Sequence, residues 1–78
     1  MRRKPDEISR AIGARIQLAR RSIGASQVEF AAALAIRRPS LSEIERGKQD
    51  ISAARLYEVA LLTDRPVGFF FEDLELKP

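Results

Sequence analysis

Apolar side chains recur at helical intervals along the first third of the chain. Ile8, Ile12, Ile16, Ala19 and Ile23 are separated by four, four, three and four residues. That spacing lays all five on one face of an amphipathic helix. Gly24 follows as its C-terminal stop. Pro5 limits the helix before Asp6, so residues 1–7 are expected to form a flexible basic arm.

Ser26-Gln27-Val28-Glu29 reads as a capping box, with the Ser26 hydroxyl accepting from the Glu29 amide and the Glu29 carboxylate reaching back. A second helix is therefore expected from Gln27 to about Ala35, with Phe30, Ala31 and Leu34 inward. At about eight residues it is too short to stand outside a bundle. The third segment runs from Arg37 to Arg46 and ends at Gly47. Pro39 suits the first helical position and would make Arg38 the cap. Leu41 and Ile44 form its inward pair, while Arg38, Ser42, Glu43 and Arg46 project from the other side. Ser52 caps a fourth helix to about Leu62, with Leu56, Val59 and Ala60 inward; Thr63-Asp64-Arg65-Pro66 breaks it. Val67 to Phe71 forms a last turn or short helix, and Glu72 to Pro78 trails off acidic. No segment alternates with a period of two, so no sheet is predicted. The predicted fold is all-α, a compact bundle of four to five short helices spanning residues 8–72, with a short acidic tail at 73–78.

Composition narrows the chemistry. A chain of 78 residues, 45% hydrophobic and 32% charged, is one globular domain's worth. There is no cysteine and no histidine, which removes disulfides, thiolate nucleophiles, histidine bases and the common zinc sites. No glycine-rich phosphate loop is present, and Glu72-Asp73-x-Glu75 reads as a solvated terminus rather than a metal site. An enzyme is not expected, nor is a cofactor. The longest apolar run, Phe30 to Ile36, has seven residues and is far too short to span a membrane. No apolar stretch follows Met1-Arg2-Arg3-Lys4, so no export signal is read and a cytoplasmic protein is expected.

Charge is unevenly placed. Residues 1–48 hold eleven Lys/Arg against five Asp/Glu, a balance of +6, and residues 49–78 hold three against six, a balance of −3. A basic first two-thirds, which includes the two short helices around residues 26–47, and an acidic tail suggest one face for a polyanionic partner and another for something else.

Two short helices joined by a tight turn, with a polar and basic outer face, have the shape of a helix-turn-helix. The residues closely resemble the Xre/Cro/phage-repressor type of transcriptional regulator. The likeness lies in Ser26-Gln27-x-Glu29-Phe30-Ala31, Leu34-Ala35-Ile36 and Leu41-Ser42-x-Ile44-Glu45-Arg46-Gly47. Upstream, Ile12-Gly13-x-Arg15-Ile16-x-x-x-Arg20 resembles the family's first helix. Downstream, Leu56-x-x-Val59-Ala60 and Pro66-Val67-x-Phe69-Phe70 resemble its last two.

The resemblance implies a sequence-specific DNA-binding regulator, in the first instance a repressor, whose third helix enters the major groove of double-stranded DNA. It implies base contacts from Gln27, Arg38, Pro39, Ser42 and Glu43. Arg38 would donate twice to guanine and Glu43 would accept from cytosine. Phosphate contacts would come from Ser26, Arg37, Ser40, Arg46 and Lys48. It also implies a partly buried ion pair between Arg20 and Glu45, and a left-handed turn residue at Ala35 where the family has glycine. Phe69, Phe70 and Phe71 fan across 200° of a helix, so either two pack inward with one partly covered, or the three form a self-association patch. The second reading fits the family's habit of binding paired half-sites as homodimers. The alternative function is an antitoxin or protein-interaction component that also binds DNA and has a protein partner. No small-molecule ligand is expected, because the length leaves no room for a sensing domain.

Overall fold

The computed structural model describes the backbone of residues 5–74 and the side chains of residues 6–74. Four α-helices follow one another: α1 (Pro5–Ser22), α2 (Gln27–Ala33), α3 (Arg38–Glu45) and α4 (Ala53–Thr63), then a 3₁₀ turn (Val67–Phe71). No strand occurs among the described residues, and no helix there is long and apolar enough to cross a membrane.

One core joins all five elements. It contains Ile16 and Ala19 of α1, Phe30 and Ala31 of α2 with Leu34 at its C-cap, and Leu41 and Ile44 of α3. Leu56, Val59 and Ala60 of α4 complete it together with Phe69 and Phe70. The predicted inward faces of α2, α3 and α4 are thus the buried ones. The two ends of the first stripe, Ile8 on α1 and Ile23 just beyond it, are exposed.

Residues 5–7, expected in the arm, are helical. Proline is well tolerated in a first turn, where its missing N–H would have had no intrahelical partner. Asp6 and Glu7 then lie at the positive end of the helix dipole, and Asp6 pairs with Arg10 one turn on. Residues 1–4 of the predicted arm and 75–78 of the tail lie outside the described residues.

The capping box on α2 has both of its bonds: the Glu29 amide donates to Ser26 Oγ (3.1 Å) and the Ser26 amide to Glu29 Oε1 (2.9 Å). The backbone bond from Ser26, followed by the bond involving its side chain, holds the Glu29 carboxyl below the usual carboxylate range. A pKa lowered by folding stabilises the fold above the unfolded value, and that contribution is lost as pH falls through the folded one.

All four helices end the same way, with a residue at positive φ followed by a paired closure onto the last turn. The residues are Gly24 (φ 71°), Ala35 (56°), Gly47 (76°) and Asp64 (54°). At α2 the Ile36 amide donates to the Ala31 carbonyl (3.0 Å) and the Ala35 amide to that of Ala32 (3.1 Å). The expected left-handed Ala35 is therefore present. A non-glycine residue there costs about 1–2 kcal/mol, and a glycine loses about 0.5–1 kcal/mol of that advantage through the flexible unfolded chain. Ala35→Gly is expected to stabilise the protein by about 0.5–1 kcal/mol, raising the midpoint of thermal unfolding by roughly 2–8 °C. A lower midpoint would show that the turn carries no strain.

The start of α3 lies one residue earlier than expected. Arg37, with extended φ/ψ of −82°/144°, is the cap, and Pro39 is the second helical residue instead of the first. A proline at that position is still within the turn whose N–H groups lack helical partners, so it costs no bond.

In the aromatic run, two rings pack inward and one is partly covered, the first of the two readings. Within the 3₁₀ turn Phe69 and Phe70 lie in the core, and Phe71 is half-buried against it. The two inner rings meet edge-to-face at 5.2 Å. The Arg15 and Arg65 guanidinium carbons lie 4.4 and 4.6 Å from the Phe69 ring centroid. Phe69 and Phe70 are core residues. Arg15 also donates to Glu72 (2.7 Å) and lies 3.2 Å from Asp73, so the chain leaving the turn is held against α1 instead of trailing away.

Candidate nucleic-acid interface

α3 presents one face to the core and the opposite face to solvent. Leu41 and Ile44 anchor it, and α1 crosses its last turn at Gly13, where the approach is close enough to exclude a side chain. Residues 38, 39, 42, 43 and 46 share the outer face at helical spacing. Of these Arg38, Pro39, Glu43 and Arg46 are exposed and Ser42 is half-buried. Arg37 and Lys48 are exposed at the two ends of the helix, and Ser40 is half-buried beside them. Ser26 is exposed at the start of α2, its hydroxyl oxygen already accepting from Glu29.

Behind this face lies the expected ion pair. Arg20 donates from Nε to Glu45 Oε2 (2.7 Å) and from Nη2 to Oε1 (3.0 Å), a two-bond arrangement. The side chains are 8% and 1% exposed, so the pair is buried. The remaining Arg20 nitrogen donates to the Ala25 carbonyl (2.8 Å), linking α1 to the loop before α2.

Gln27 differs from expectation. Half-buried, it turns its amino group inward to Glu45 Oε1 (3.0 Å) and accepts on its carbonyl from Arg38 Nη1 (3.2 Å). Gln17 of α1 also points at Glu45 Oε1, at 3.4 Å. The outer face of α3 thus combines a donor-only side chain (Arg38), an acceptor-only one (Glu43), a hydroxyl (Ser42) and an apolar ring (Pro39).

Sequence reasoning passed over a second surface. Tyr57, Leu61, Leu62 and Val67 are exposed by 57%, 64%, 42% and 39%, which makes α4 and the turn after it the seat of an unpartnered apolar face. The signal was present: α4 is apolar on more than the side occupied by Leu56, Val59 and Ala60.

Comparison with known proteins agrees with this geometry. The HTH_3 family, described as Helix-turn-helix, matches residues 16–70. An "Uncharacterized HTH-type transcriptional regulator" from Sinorhizobium medicae is 35% identical over 72 residues, covering 92% of this chain and 52% of the relative. An "Uncharacterized transcriptional regulator in ATPase CF(0) region" from Rhodospirillum rubrum is 33% identical over 64 residues, covering 82% and 59%. The chain thus spans little more than half the length of these curated relatives. Among solved structures, the clp gene regulator ClgR from C. glutamicum superposes with a TM-score of 0.76 at 26% identity, covering 90% of this chain and 96% of that one. The restriction-modification controller protein C.AhdI from Aeromonas hydrophila shares the fold, with a TM-score of 0.73 at 23% identity over 83% and 97% of the two chains. With the buried Arg20–Glu45 pair and the α2–turn–α3 unit in place, the chain belongs to the HTH_3 helix-turn-helix family, of the Xre/Cro type.

Proposed function

We propose that this chain lays α3 in the major groove of an operator and represses transcription by occupying it. The observation that carries the reading is the outer face of α3, where Arg38, Pro39 and Glu43 stand exposed between the cationic ends Arg37 and Arg46/Lys48. Arg38 suits guanine O6 and N7, Glu43 cytosine N4, and Pro39 a thymine methyl; Ser42 serves either as donor or acceptor. Arg37, Ser40, Arg46, Lys48 and Ser26 then meet phosphates and set the register.

Two copies act together. Paired half-sites one helical turn apart need a two-fold partner, and the exposed Tyr57, Leu61, Leu62 and Val67 supply an apolar surface for it. The dimer surface is thus α4 and the start of the following turn, in place of the buried phenylalanines.

Salt dependence tests the phosphate assignments. Each phosphate neutralised contributes about −0.9 to the slope of log K against log salt. Lys48→Ala is expected to weaken binding to every duplex alike and to make that slope shallower by about 1. An unchanged slope in a titration series from low to high salt would remove Lys48 from the interface.

A further inference from the structure

One turn of α1 is seated on the junction between α3 and the loop that leaves it. We propose that Arg10 is a further phosphate-binding residue, acting beside Arg46 and Lys48 at the C-terminal end of α3. Asp6 is the carboxylate it leaves when DNA arrives. The proposal rests on the loop after α3 lying against the DNA backbone, as above.

Gly47 supplies the first observation. Its φ of 76° disfavours a side chain, and an added Cβ would strike Arg10 Cγ, with Arg10 Cα at 2.6 Å and N at 2.7 Å. Glycine is therefore required for two reasons, conformation and close approach. The turn of α1 that carries Arg10 thus lies directly on the residue between Arg46 and Lys48. A second contact holds the same turn: Ser9 Oγ donates to Asp50 Oδ1, two residues beyond Lys48. Between them the two contacts fix the Arg10 backbone relative to the loop.

Charge supplies the rest. Arg10, Arg46 and Lys48 are all exposed. Among the described residues Arg46 and Lys48 have no carboxylate partner. Arg10 has Asp6 alone, at 3.8 Å, with the two side chains 63% and 67% exposed. A pair so long and so open to water is weak and readily exchanged for a phosphate. Asp50, the acid on the loop, already accepts from the Ser9 hydroxyl. Each strand of a duplex presents one charge per about 3.4 Å of axis, so neighbouring cations on the protein meet neighbouring phosphates. Such contacts carry no base information; they fix the register in which α3 enters the groove.

A salt titration of duplex binding tests this. Arg10→Met keeps the stem that packs on Gly47 and removes the charge, so the melting temperature is expected to stay near that of the native protein. Its slope of log K against log salt is expected to be shallower by about 0.9, on selected and random duplexes alike. Asp6→Asn frees the guanidinium and is expected to tighten binding about twofold at low salt, a gain that shrinks when Arg10→Met is already present. Arg21→Met removes the same charge from the last turn of α1, beside the groove that Asp73 lines, and is expected to leave the slope unchanged. Three results would overturn the proposal. One is an unchanged slope in Arg10→Met while Lys48→Ala flattens its own. Another is an equal flattening from Arg21→Met, which would trace the effect to net charge. The third is a gain from Asp6→Asn that is just as large without Arg10. If neither Arg10→Met nor Lys48→Ala alters the slope, the loop does not meet phosphates, and the reading beneath the proposal fails with it.

Discussion

Glu45→Ala is expected to destabilise the protein by about 3–5 kcal/mol, the usual result of removing one partner from a buried ion pair. The carboxylate is 1% exposed and receives two bonds from Arg20 as well as the Gln27 and Gln17 amides. Without it the Arg20 guanidinium remains buried, with the Ala25 carbonyl as its one other acceptor. For a chain of 78 residues the whole stability is of order 4–12 kcal/mol, so this single change consumes a large share of it. Thermal unfolding followed by circular dichroism is expected to shift down by more than about 10 °C. The double replacement Arg20→Met with Glu45→Leu is expected to lose less than Glu45→Ala, because desolvating two charges offsets most of what their attraction supplies. A loss below about 1 kcal/mol for Glu45→Ala would mean that solvent screens the pair after all.

Gly13→Ala carries the second large effect. A Cβ at this position would lie 2.2 Å from the Ile44 carbonyl oxygen and 2.8 Å from that of Glu45. Both neighbours are backbone atoms in the last turn of α3, so no side-chain rotation relieves the clash. Either α1 withdraws from α3 or the end of α3 deforms, and the Arg20–Glu45 geometry changes with it. Overpacking of this kind costs about 1–3 kcal/mol, and here it must also overcome the gain of about 1 kcal/mol that alanine enjoys over glycine in a helix. Urea denaturation is expected to show a net loss of stability for Gly13→Ala and a larger one for Gly13→Val. Gly68→Ala provides the control, since nothing lies within 4 Å of its added Cβ; it is expected to stay within about 0.5 kcal/mol of native. If Gly13→Ala were neutral, the close crossing that fixes the angle of α3 would not exist.

Much of this was legible in the chain itself, for local reasons. Ser26 with Glu29 and Ser52 announce two helix starts because capping is decided within a single turn. Leu41 with Ile44, and Leu56 with Val59 and Ala60, announce inward faces because burial follows the helical period. The features that differed depend on tertiary context. Pro39 tolerates either of two first-turn positions, so its residue type alone does not choose between Arg37 and Arg38 as the cap. The aromatic run at 69–71 left two readings open because the partners that decide lie outside it: Arg15 of α1 and Arg65 of the preceding loop stand over the Phe69 ring. Gln27 looked outward-facing because its inward acceptor, Glu45, stands eighteen residues away along the chain. The face of Tyr57 and Leu61 carries no local signal of its exposure, since an apolar residue on a helix does not by itself tell which side the core takes.

The central claim is that α3 reads bases through Arg38. Its most direct test is selection of bound duplexes from a random pool, run in parallel with the native protein and Arg38→Ala. The expected outcome is a two-fold symmetric motif with half-sites centred about 34–36 Å apart, in which the variant loses its preference for guanine at one position per half-site and keeps the others. The same motif from both proteins, or weak salt-labile binding with no motif, would contradict it.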